Sequence, residues 1–139
     1  MKSAGYILII SEKNECSEVI KHVGAKSVGH SNIFRVDEPS AGIALLNKMG
    51  LVDNKIPACI FLSTDVEREK IKAFLNLLDR DYPFASRGKV VLVDSDYQLN
   101  NLMGLAISDS VGQFINCPVL PIEVETVLNQ SNMPLGMLA

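Results

Sequence analysis

Apolar residues are distributed along this chain in two alternating textures. Tyr6–Ile10 (YILII), Lys55–Thr64 (KIPACIFLST, apolar from Ala58 to Leu62) and Lys89–Val93 (KVVLV) are short continuous runs rich in branched residues. Such runs predict strands buried on both faces, as in the middle of a parallel sheet. Ile33–Val36, flanked by polar residues, predicts a strand at or near a sheet edge, and Gly112–Ile115 predicts a short fifth strand. Between these runs the apolar period becomes helical. Cys16, Val19, Ile20 and Val23 predict a helix from about Asn14 to Val23, stopped by Gly24. Ile43, Leu46 and Met49 form the inward face of a second, entered at Pro39 or Ser40 with Ser40 as its cap, and ended by Gly50. Val66, Ile71, Phe74, Leu75 and Leu78 share one face of a third, with Glu67, Arg68, Glu69, Lys70 and Lys72 solvated opposite. Leu99, Leu102, Met103 and Ala106 mark a fourth, capped by Asp96. Val124, Val127 and Leu128 mark a fifth. Asp79 to Gly88 reads as a loop rich in turn formers.

Five strands alternating with five helices predict an α/β fold of the flavodoxin-like, three-layer kind. Right-handed crossovers place helices on both faces of a five-stranded parallel sheet in the order 2-1-3-4-5. One domain is expected over 1–139, with its core at about 5–130 and a flexible or partner-bound tail over 131–139. In open α/β sheets ligands bind beyond the carboxyl ends of the strands. Any chemistry is therefore bounded by Ser11, Glu12, Ser63, Thr64, Asp65, Asp94 and Ser95.

Composition narrows the function classes. A hydrophobic fraction of 47%, a charged fraction of 21% and a net charge of −3 describe an ordinary globular protein. Without a basic stripe, direct nucleic-acid binding is not expected. Cys16, Cys59 and Cys117 form no CxxC and no close pair, so neither a disulfide framework nor a zinc site is indicated, and a reducing, cytoplasmic compartment is expected. No stretch approaches the roughly 20 apolar residues of a membrane span. No GxGxxG or GxxxxGK[ST] loop is present. Ser63 with His22 or His30 would make a nucleophile and base, but no glycine-rich elbow surrounds the serine. The strand-end carboxylates Glu12, Asp65, Asp94 and Asp96 would make an acidic pocket for a divalent ion, but they read first as helix caps and solvated loop groups, Asp65 as the start of the helix that succeeds it.

From Tyr6 to about Gln130 the pattern resembles the receiver domain of two-component response regulators. YILIISEKNE resembles the family's first strand, with Ser11 and Glu12 on its two acidic positions. PACIFLST resembles the third, with Ser63 in the place of the phosphoacceptor aspartate. KVVLVDSD resembles the fourth, with Asp94 on the Ser/Thr position. GQFINCPV resembles the fifth, with Cys117 and Pro118 on the Lys-Pro pair and Phe114 on the aromatic position that moves in signalling.

The resemblance implies a degenerate site. A serine hydroxyl without a base is a poor nucleophile near neutral pH. With only Glu12 left of three acidic positions, Mg²⁺ binding is expected to be weak or absent, and no other cofactor is expected. Cys117 supplies no positive charge and is read as a small side chain in a lysine's place; Asp94 would repel a phosphoryl group. Cys117–Pro118 is a candidate cis bond. The resemblance thus implies a non-enzymatic signalling domain acting through protein–protein contacts. Its partners would be a histidine kinase or another regulator, or a second copy, docking on the face made by the fourth helix, fifth strand and fifth helix. The alternatives are a phosphoaccepting regulator that uses a substitute residue and, more distantly, a small hydrolase or ligand-binding domain.

Overall fold

A computed structural model describes residues 5–12, 17–52, 55–64, 66–82, 88–94, 110–116 and 119–131. The strands are β1 (Tyr6–Ile10), β2 (Ile33–Val36), β3 (Pro57–Ser63), β4 (Val90–Asp94) and β5 (Val111–Asn116). They form one parallel sheet in the order β2-β1-β3-β4-β5. The described helices are α1 (Ser17–Val28), α2 (Pro39–Leu51), α3 (Arg68–Asp81) and α4 (Pro121–Ser131), with a 3₁₀ turn at His30–Asn32. Thus α4 is the fifth helix that the sequence predicts. The fourth, around Leu99 to Ala106, lies outside the described residues, as does the tail beyond Ser131.

The unbroken apolar runs are explained by two cores. Tyr6, Leu8, Ile10, Ile60, Leu62, Val90 and Leu92 point to one side and pack with α2 and α3. The alternate residues Ile7, Ile9, Cys59, Phe61, Val91 and Val93 point to the other and pack with α1 and α4. Every residue of β1 and β4 is buried as a result. Both faces being covered, neither strand has a polar face to show as alternation. The two outer strands differ: β2 is half-buried throughout, and β5 exposes Gly112, Phe114 and Asn116 while burying Ile115. In α3 the buried Ile71, Phe74, Leu75 and Leu78 fall at i, i+3, i+4 and i+7. Burying each contributes roughly 1.5–3 kcal/mol, an upper bound because unfolded chains are partly collapsed.

The helix ends correct the sequence reading. α1 does not stop at Gly24 but continues to Val28, with Gly29 next in the left-handed region at φ 86°. Gly24 is a packing residue: a Cβ there would lie 2.8 Å from Ile7 Cδ1 and 3.3 Å from Ile33 Cδ1. Ser40 is not the cap of α2. Glu38 holds that position, Pro39 is the first helical residue, where a missing N–H costs nothing, and the Ser40 hydroxyl donates to Glu38 Oε1 at 2.8 Å. Gly50 lies inside the last turn. Val66 is buried but precedes α3, and α3 runs to Asp81, into the segment expected to be loop.

Candidate functional site at the carboxyl rim of the sheet

Strand register decides which side chains meet at the rim. Ile10 pairs with both Val36 and Leu62, and Ser63 with Val93, so Ser11, Ser63 and Asp94 leave neighbouring strands at nearly the same height. All three are buried, Asp94 most fully at 1% exposure, whereas Glu12 is exposed. The Ser11 N–H donates to Val36 O at 3.1 Å, which continues the ladder one residue past β1. Thr64 does the same beyond β3, donating its N–H to Val93 O at 2.9 Å. Its hydroxyl then donates to Asp94 Oδ1 at 3.3 Å. A carboxylate this deep costs several kcal/mol unless it is hydrogen-bonded; the Thr64 hydroxyl is one group that meets the need.

Arg35 enters this rim from the edge strand, and sequence spacing gives no sign of it. Its Nη2 donates to Ser11 O at 2.9 Å and lies 3.5 Å from Glu12 O. Nη1 stands 3.4 Å from the exposed Asp37 carboxylate. The available signal is compositional: one cation inside the otherwise apolar strand IFRV.

Other predicted residues are not brought together. Phe114 sits on β5 opposite Leu92 and is 47% exposed. Leu120, before α4, and Ile122, in its first turn, are also more than half exposed. His30 immediately precedes β2, at the amino ends of the strands and opposite Ser63, and His22 is exposed on α1. Asp65, Cys117 and Pro118 lie outside the described residues, with Ser95 and Asp96. Among the described residues no three Asp, Glu, His or Cys side chains are grouped for a metal ion. Two grooves, of about 280 Å³ between α2 and α3 and about 260 Å³ between α1 and α4, include neither Ser63 nor Asp94. No described helix is long and apolar enough to cross a membrane.

No protein-family model and no curated protein matches the sequence. Solved structures do match the fold. A two-component response regulator from Cytophaga hutchinsonii superposes with a TM-score of 0.74 at 14% identity, over 94% of this chain and 98% of that one. The signal receiver domain of an HD domain-containing protein from Pseudomonas fluorescens Pf-5 gives 0.73 at 11%, over 94% and 88%. A two-component response regulator from Legionella pneumophila gives 0.69 at 17%, over 92% and 98%. The chain therefore has the fold of response-regulator receiver domains.

Proposed function

We propose that this chain is a receiver-type signalling domain that acts by protein–protein contact in a two-component pathway of the cytoplasm, and that it is not switched by phosphorylation at the end of β3. The observation that carries this reading is the residue ending that strand. Ser63 is buried there, whereas His30 lies at the opposite, amino ends of the strands and His22 is exposed on α1. The rim's buried carboxylate stands instead on β4, as Asp94. Negative charge beside an incoming phosphoryl group raises its energy, and Cys117, in the place that the resemblance gives to a lysine, brings no compensating cation. A switch from almost all of one state to almost all of another needs about 5.5 kcal/mol of differential binding. This rim has no phosphoryl chemistry to supply it, so a partner sets the conformation.

The partner is a histidine kinase, another regulator or a second copy. The surface offered is the β5 and α4 side, where Phe114, Leu120 and Ile122 are exposed. Exposed apolar side chains of this size are what a docking face buries.

The Thr64–Asp94 hydrogen bond favours a second reading, in which hydroxyl and carboxylate have exchanged strands and Asp94 accepts the phosphoryl group. Incubation with acetyl phosphate or phosphoramidate and Mg²⁺, then intact mass at neutral pH, separates the two. The first reading expects no adduct. An adduct mapped to Asp94 or Asp65 selects the second, and one on Ser63 overturns both.

A further inference from the structure

We propose that Arg35 is the resident cation of this rim, holding the exit of β1 in place of a divalent metal ion and making the rim indifferent to Mg²⁺. The inference is independent of which residue, if any, takes a phosphoryl group. Two backbone carbonyls and the Glu12 carboxylate at one strand exit are the hard-oxygen chemistry that Mg²⁺ or Ca²⁺ uses. Here the carbonyls of Ser11 and Glu12 face a guanidinium, at 2.9 and 3.5 Å. That group is charged at any working pH. A metal ion at the same oxygens would have to displace it, or stand against its positive charge.

The placement is built rather than incidental. The Arg35 side chain is only 21% exposed. Its Nε is buried with no hydrogen-bond partner among the described residues. A loosely held surface arginine would keep that N–H turned to water; this one is buried, and the contacts of its two Nη groups hold it there. Nη2 ties two carbonyls of the β1 exit, and Nη1 an exposed acid, Asp37, just past β2. One side chain thus joins the carboxyl ends of adjacent strands. A divalent cation coordinating the same oxygens would do the same mechanical work, and the residues present do not leave it room.

The test uses the full chain with Arg35→Met, which keeps the stem, and Arg35→Lys, which keeps the charge but has a single donor centre. Hydrogen exchange of the Ser11–Glu12 segment is compared with that of Leu92 and Val93. Losing a charge-assisted hydrogen bond predicts exchange about tenfold faster or more in that segment in both variants, with the β4 amides unchanged. Millimolar Mn²⁺, read as paramagnetic broadening of the Glu12 amide, is expected to leave the wild type and the lysine variant untouched and to broaden the methionine variant. Wild-type protection retained over Ser11–Glu12 in both variants overturns the tether. Broadening in the wild type, or none in the methionine variant, overturns the exclusion of metal.

Discussion

Tyr6 offers a perturbation whose effect can be worked out at two pH values. It opens β1, is fully buried, and packs its ring edge-on against Phe34 at a centroid distance of 6.0 Å. Its hydroxyl oxygen is buried without a hydrogen-bond partner among the described residues. Tyr6→Phe removes that group and keeps the ring contact. An unmet buried hydroxyl costs about 1–3 kcal/mol, so at pH 7 the variant should be more stable by about 1 kcal/mol, after allowing for the small void left behind. At this chain length that is a rise in Tm of roughly 3 °C. Alkaline pH gives an independent reading. Burial, and then the neighbouring Tyr82, raise the Tyr6 pKa far above its ordinary 10.0. The unfolded chain therefore loses this proton near pH 10 while the folded chain keeps it. Stability from this group is complete below about pH 10 and falls as pH rises, because the unfolded state then binds fewer protons. By pH 11 the wild type should have lost up to about 1.4 kcal/mol that the phenylalanine variant retains. Urea unfolding at both pH values, compared at constant m, measures each effect as a shift in midpoint. A variant less stable than the wild type at pH 7, or one with the same alkaline decline, would refute the reasoning.

Three further outcomes are expected. Gly112→Ala should destabilise by about 2 kcal/mol or more, because its Cβ would fall 2.2 Å from the backbone oxygen of Gly88, whereas Gly24→Ala, which meets the tip of Ile7, should stay within about 1 kcal/mol of the wild type as helix propensity offsets crowding; equal urea midpoints for the two would contradict this. Thr64→Val should lower stability by about 1.5–3 kcal/mol through loss of the donor to buried Asp94, and a midpoint unchanged from the wild type would show that the contact contributes nothing. Phe114→Ser should cost less than about 1 kcal/mol, since the ring is half exposed and strand preferences span only about that much; size-exclusion chromatography and partner capture should show weakened association, and unaltered association would place the docking face elsewhere.

The sheet is legible in the sequence because burying β1, β3 and β4 on both faces leaves runs with no polar break. Strand order comes from the need to cover both faces with helices. Helix ends are harder. Glycine reads as a stop at Gly24 and Gly50, yet Gly24 is there for close packing and Gly50 faces open space; composition alone does not separate these uses. The tendency of sites to form at carboxyl strand ends places Ser11, Ser63 and Asp94 correctly at one rim. It cannot place Arg35, whose contact with Ser11 spans 24 positions and depends on which way one side chain turns from the edge strand. Nor can it tell that Phe114 is half exposed, since an outer strand with apolar residues looks like a buried one.

Two close approaches bear on how the molecule can move. A Cβ on Gly24 of α1 would reach Ile7 on one face of β1, and a Cβ on Gly42 of α2 would lie 2.9 Å from Ile10 on the other. Each helix backbone is seated against the tip of a strand isoleucine, with no space for an added methyl unless that tip turns. The first strand is gripped from both sides, and the grip gives only as far as two isoleucine tips can turn. Rearrangement on partner binding should leave that half of the molecule behaving as one stiff body, with any displacement taken up on the side of β4 and β5.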